Sequence, residues 1–341
     1  MKRLLLVAAG SLFLAAAMPA SAAEASTLDE VKARGALNCG VTQGLPGFSY
    51  TNDKGEWAGM DVDFCRAIAA AIFDDPEKVK FSPLSAKDRF TALAAGAVDV
   101  LSRNTTWTMS RDTTLGFNFA AVSYYDGQGF LARKSLDLKS VKDLEGASIC
   151  VQSGTSNEVN VADYFRAQGM SYKEVRPFDT FDAAITAYET GRCDVFSADK
   201  SQLAALRLKL TNPAQHVLLP ETISKEPLGP LVRHGDDRWF DLVKWTYFAL
   251  VNAEELGITS QNVDEKLKSS DPRMKRLLGT EGKYGEDIGL TTDWVVRMVR
   301  AVGNYGEIYD RNVGPGTPLG IERGINNLWT KGGLHYGMPV R

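Results

Sequence analysis

Between residues 98 and 111 the chain carries Ser102, Asn104, Thr105, Thr106, Thr108 and Ser110, and it closes on Arg111. Short hydroxyl and amide side chains supply neutral hydrogen-bonding groups. A guanidinium grips a carboxylate through two parallel N–H···O bonds. Together they suit capture of a small carboxylate. Farther on, Asp199 follows the largely apolar run Val195-Phe196-Ser197-Ala198 and offers a charge of opposite sign. An α-ammonium and an α-carboxylate need one partner each, because either charge buried alone is costly. Thr155 and Ser156 precede a helical pattern, where free N–H groups and the helix dipole favour an anion. The same residues also admit structural roles. Asp199 could cap a helix starting near Lys200, and Arg111 could pair with Asp112 or another surface acid.

These side chains need elements to hold them. Val98, Val100 and Leu101 predict a strand that turns polar at Ser102, as when the carboxyl end of a strand opens into a ligand loop. Upstream, residues 37–41 predict a strand and 55–59 a turn or hairpin. Residues 60–73 predict a helix, with Val62, Cys65, Ile68, Ala69 and Ile72 near a 3.6-residue period. Residues 79–81 read as a strand, and 87–95 as a helix ended by Gly96. Alternation at these lengths means a parallel α/β sheet. The pattern then returns with strand 147–151, helix 158–168, strand 172–175 and helix 181–189. Gly191-Arg-Cys-Asp-Val195 echoes Gly96-Ala-Val-Asp-Val100. In that alignment Asn104 and Asp199 take equivalent places beyond a strand's carboxyl end, while Asp99 and Asp194 turn the chain into each strand. Two lobes with facing strand ends would form a cleft. Residues 117–133 read as extended, and Pro227, Gly229 and Pro230 mark a second crossing. Helices follow at 239–253, 264–268, 272–278 (with Pro at the first position) and 292–302. Residues 303–341 read as a loop-rich tail that wraps lobe one.

Residues 1–22 have the form of a signal peptide: Lys2 and Arg3, an apolar run, then Ala20-Ser21-Ala22. The first cysteine, Cys39, is too distant for lipid attachment, so a soluble exported protein is expected. The rest of the 341 residues suffices for two domains. A net charge of −3 gives no reason to expect nucleic acid or an anionic membrane surface. His216, His234 and His335 are scattered and the four cysteines fit no zinc pattern, so no metal or cofactor is expected. In an exported chain an even cysteine count suggests disulfides. Of three connectivities, Cys39–Cys65 (strand to next helix) and Cys150–Cys193 (two later strand-like runs) are expected; four buried thiols are the alternative.

Taken in order, four motifs resemble the bacterial periplasmic substrate-binding proteins for polar amino acids, which deliver ligand to ATP-driven importers. They are Gly55-Glu-Trp-Ala-Gly-Met-Asp-Val-Asp63, residues 98–111, Gln152-Ser-Gly-Thr-Ser-Asn-Glu158, and Gly191-Arg-Cys-Asp194 through Ala198-Asp199. The resemblance spans about residues 29–234. The full length, including Val302-Gly-Asn-Tyr-Gly-Glu-Ile-Tyr309, is similar to the general L-amino-acid subgroup.

The resemblance implies a type II two-lobed α/β fold, each lobe a mostly parallel sheet flanked by helices, with a two-strand hinge. Lobe one would comprise residues 23–127 plus 228–341, with a helical C-terminal tail, and lobe two 128–227. It implies a periplasmic monomer that binds L-amino acids, with the permease subunits of an ABC transporter as partner. Arg111 would hold the α-carboxylate, with Thr106 and, from lobe two, Thr155 beside Ser156. Asn104 would meet the α-ammonium through its carbonyl, and Asp199 through its charge. Family members often stack an aromatic over the ligand. Here Leu45 aligns with that position, leaving Phe48 as candidate pocket wall and pointing to loose specificity. Three other functions compete. A cyclohexadienyl-type dehydratase or a peptidoglycan lyase would call for a catalytic His or Glu in the cleft, and no His lies near the motifs. A receptor's sensor domain would need a membrane span. A dicarboxylate binder would meet repulsion from Asp199.

Overall fold

A computed structural model describes residues 26–341; the expected signal peptide lies outside the described residues. The chain opens with α1 (Thr27–Arg34) and β1 (Leu37–Val41). The hairpin β2 (Tyr50–Thr51) and β3 (Trp57–Ala58) leads to α2 (Met60–Phe73), β4 (Val79–Pro83), α3 (Arg89–Ala94) and β5 (Val100–Thr106). Next come β6 (Phe117–Phe119), β7 (Tyr124–Asp126), β8 (Gln128–Arg133), β9 (Ser148–Gln152), α4 (Ser156–Ala167), β10 (Glu174–Phe178) and α5 (Phe181–Glu189). β11 (Val195–Asp199), α6 (Lys200–Arg207), β12 (His216–Leu218) and β13 (Glu226–Arg233) follow. The chain ends in α7 (Asp237–Glu255), α8 (Val263–Lys266), α9 (Pro272–Leu277), α10 (Tyr284–Asp287), α11 (Trp294–Val302) and α12 (Tyr305–Asn312).

The strands form two main sheets, one per lobe: β4-β1-β5-β13-β6, with β7 also on β13, and β10-β9-β11-β8-β12. β4, β1 and β5 are parallel, as are β10, β9 and β11. The sheets are nevertheless mixed rather than mostly parallel. β13 and β8 run antiparallel to their neighbours. They lack the helical crossover that a parallel neighbour requires. The chain passes between the sheets at Gly127 and again before β13. A Cβ on Gly127 would lie 2.1 Å from Thr222 Cγ2, so glycine lets the two crossings pack side by side.

β5 corrects the expected polar loop. It runs on through Thr106, and all seven of its residues are buried. Leu228 pairs with Thr106 and Gly229 with Thr105, so the strand is held by a partner more than a hundred residues away. Pro230 is tolerated in β13 because the register shifts between Gly229 and Leu231.

Helix α2 shows why the apolar period was a sound guide. Cys65, Ile68 and Ala69 are fully buried, and small residues at Ala67, Ala70 and Ala71 let other elements approach closely. Burying a side chain such as Ile68 stabilises by about 1.5–3 kcal/mol. The tail is less loop-like than expected, because it contains α12. Asn304 and Glu307 form a reciprocal capping box there. The tail docks on lobe one: Arg311 Nη2 donates to Asp63 Oδ2 at 2.8 Å and Tyr305 OH to Ser123 O at 2.8 Å.

Cys39 is bonded to Cys65 and Cys150 to Cys193, one tie per lobe, as expected. The linked residues are 26 and 43 positions apart. Closing loops of that size restricts the unfolded chain, so reduction should cost about 2–4 kcal/mol per bond. Thermal melts with and without reductant check this; overlapping curves would refute it.

Candidate functional site

A small cavity lies between the lobes. Arg89 of α3, Arg103, Asn104 and Thr106 of β5, and Arg111 border it from lobe one. Gln152, Thr155, Ser156, Asn157, Phe181, Asp199 and Gln202 border it from lobe two. Direct contacts join the rims. Arg89 Nη2 donates to Gly154 O at 3.3 Å, Lys209 Nζ to Gly44 O at 2.9 Å, and Lys87 pairs with Asp179 at 2.5 Å.

Arg111 sits on a π-helical turn, Ser110–Thr114, directly after β5 and its short connector. It is 8% exposed, its Nη1 donates to Thr106 O at 2.7 Å, and its guanidinium lies 5.3 Å from the Phe90 ring centre. The suspected pairing with Asp112 does not form, since Asp112 accepts from Trp107 Nε1 at 2.9 Å. Burial lowers the Arg111 pKa, while the charges of Glu226 and Asp199 oppose that shift.

Asp199 ends β11 and occupies the N-cap position of α6, yet its side chain caps nothing. Asp126 Oδ2 takes over by accepting the Ser201 N–H at 3.1 Å. Asp199 is thereby free to accept from Asn157 Nδ2 at 2.8 Å and Gln202 Nε2 at 2.7 Å. Burial, then the charges of Asp126 and Glu226, push its pKa well above the ordinary carboxylate range. Asp126 is raised to about 6, chiefly by desolvation of its carboxyl.

Of the eight residues expected to contact ligand, Arg111, Asp199, Asn104, Thr106, Thr155 and Ser156 border the cavity. Leu45 and Phe48 are not brought there. Thr42 Oγ1 donates to Ser49 O at 2.9 Å, and Leu45 N to the same oxygen at 2.7 Å, folding the segment onto the lobe-one core. Phe48 meets Tyr124 edge-on, at 5.5 Å between ring centres. The aromatic wall is Phe181, from lobe two. The hydroxyls of Thr106 and Ser156 both donate to Glu226, at 2.5 and 2.8 Å, and Thr155 Oγ1 donates to Gln152 O at 2.6 Å. Their oxygens therefore face the cavity as acceptors. Donation to an anion falls to the guanidiniums that border the cavity and to the N-terminus of α4. Asn104 adopts a φ of 37°, its N–H donates to Asp61 Oδ2 at 3.1 Å, and its Oδ1 is buried without a partner.

Arg89, Arg103, Asn157 and Gln202 escaped the sequence reading. Arg89 had a signal: it lies four residues before Leu93, on the buried stripe of α3. Gln202 lies one turn beyond Asp199. Arg103 and Asn157 gave none. Among the described residues, Arg89, Arg103 and Arg111 form no salt bridge, and Arg89 Nε has no hydrogen-bond partner. Burial lowers the pKa of Arg89 well below its usual value, and lowers Arg103 to about 10. Three unpaired guanidiniums around one cavity call for anionic oxygen, which weakens the objection to a second carboxylate.

Residues 37–257 match the family described as bacterial extracellular solute-binding proteins, family 3. The chain is 57% identical to the general L-amino acid-binding periplasmic protein AapJ of Rhizobium johnstonii, covering 99% of each. It is 52% identical to the glutamate/glutamine/aspartate/asparagine-binding protein BztA of Rhodobacter capsulatus, covering 97% of this chain and 98% of that one. A solved ABC transporter periplasmic binding protein from Brucella ovis, with glutathione bound, is 58% identical. Its TM-score is 0.91, with 93% of this chain and 100% of that one covered. These relatives are binding proteins, not enzymes, and the dehydratase alternative finds no counterpart among them. Matched over most of its length and built around a cleft between two α/β lobes, the chain belongs to the bacterial extracellular solute-binding proteins of family 3.

Proposed function

We propose that this protein, exported as a monomer after removal of residues 1–22, binds L-amino acids in the interlobe cavity. It then presents them to the permease subunits of an ABC transporter. One observation carries the reading: buried Arg111 and Asp199 border one cavity from opposite lobes, and among the described residues neither is ion-paired. The α-carboxylate meets Arg111 and the α4 N-terminus. The α-ammonium meets Asp199, the oxygens of Thr106 and Ser156, and Asn104. A ligand held by both lobes stabilises the closed arrangement, which the transporter can recognise. The named ligands of AapJ and BztA support the same chemistry. Glutathione, bound by the Brucella relative, also carries a free α-ammonium and α-carboxylate, on its γ-glutamyl end.

Arg89 and Arg103 suit a second anionic or amide oxygen, so side chains such as those of glutamate and glutamine should bind best. Titration calorimetry of refolded, ligand-free protein against single amino acids tests the function; heat from none of them would end it. Arg89→Met should weaken glutamate about 10- to 100-fold, the range for a charge-assisted hydrogen bond. Alanine should change little. Equal losses for both would remove Arg89 from side-chain recognition.

A further inference from the structure

We propose that Glu226 is a positioning residue that couples ligand capture in lobe one to closure of lobe two; this rests on the amino-acid-binding reading of the cleft. Glu226 opens β13 and is 1% exposed. Its Oε2 accepts from Thr106 Oγ1 at 2.5 Å and Ser156 Oγ at 2.8 Å. Its Oε1 accepts from Asn160 Nδ2 and Ser224 Oγ, both at 2.6 Å. An ionised carboxylate has about four acceptor sites, and all four are taken.

The partners divide by lobe. Thr106 belongs to β5, and its carbonyl holds Arg111 Nη1. Ser156 and Asn160 are one turn apart on the same face of α4. Glu226 is tied to the lobe-one sheet through its pairing with Asp126 of β7. One carboxylate therefore links the strand that aims Arg111 to the helix whose N-terminus faces the cavity. Glu226 itself does not line that cavity, so it acts through Thr106 and Ser156 rather than on ligand. Parting the lobes would separate it from Ser156 and Asn160 and let water replace them. The link can thus break without leaving a buried, unpaired charge.

The variant is Glu226→Gln, which keeps one acceptor oxygen and puts an NH₂ in place of the other, so it cannot accept from both Ser156 and Asn160. The probe is L-glutamate, followed by stopped-flow tryptophan fluorescence. Dissociation should accelerate about tenfold with association within about twofold, the pattern for loss of a buried charged hydrogen bond that forms after encounter. Without ligand, small-angle X-ray scattering should give the variant a larger radius of gyration than wild type. Asn160→Ala, which removes one of the two donors on α4, should accelerate dissociation less. The double variant should lose less than the sum of the two single changes. Unchanged dissociation with an unchanged radius overturns the proposal, as does a fall in association as large as the rise in dissociation. Should Glu226→Gln not fold, Asn160→Ala decides by the same two measurements. Failure of wild type to bind any amino acid would overturn the cleft reading instead, and the scattering comparison would still judge the link.

Discussion

Arg111→Ala should reduce amino-acid affinity about 10²- to 10³-fold while moving the melting temperature of the empty protein by only a few degrees. The affinity loss follows from leaving the α-carboxylate without its counter-charge in a buried site, where removing one member of such a pair costs about 2–5 kcal/mol. The stability effect is small because two terms oppose. The variant loses the bond to Thr106 O and the packing over Phe90. It also loses the cost of holding a desolvated guanidinium that no carboxylate pairs. Arg111→Lys keeps the charge but not the two-pronged geometry, so its loss should be intermediate. Calorimetry and thermal melts on ligand-free protein measure both quantities. Wild-type affinity in Arg111→Ala would remove the central charge from the proposed site.

Much of this arrangement was legible because local chemistry and tertiary role agree. The helix at residues 60–73 announced its buried face by period, and Gly96 and Gly191 marked equivalent helix ends. Asp199 stood out as a charge placed after a largely apolar run, and Arg111 as the charge that closes a run of hydroxyl and amide side chains. What stayed hidden depends on distant partners. The polar half of β5 is a strand because β13 pairs with it, and no apolar alternation within 102–106 says so. Glu226 gains its significance from Thr106, 120 residues away, and from α4. Leu45 and Phe48 looked like cleft residues from their place after β1, yet the turn closed by Thr42 and Ser49 folds them inward. α12 was hidden by Gly306, a poor helix former, although Asn304 and Glu307 spelled a capping box.

Asp199→Asn should weaken binding about a hundredfold or more and yet raise the melting temperature of the empty protein near neutral pH. The folded state raises the Asp199 pKa well above the ordinary range, through burial and then the charges of Asp126 and Glu226. A carboxyl raised in this way contributes stability below its unfolded value of about 3.9. That contribution is lost as pH climbs through the folded value. At neutral pH the empty protein therefore bears a cost that asparagine does not. The melting advantage of the variant should shrink as pH falls toward about 4. Asparagine also fits locally: Gln202 Oε1 is unpartnered, so its amide can turn to accept from the new NH₂. Ligand reverses the balance. An α-ammonium beside Asp199 favours the ionised form, so binding below the raised value expels a proton and affinity falls as pH falls through it. Asp126, at about 6, shares the titration, and the profile belongs to the pair. Calorimetry in buffers of differing ionisation enthalpy should detect proton release for wild type and much less for the variant. Equal release from both, or undiminished affinity in the variant, would mean that the ammonium is held elsewhere.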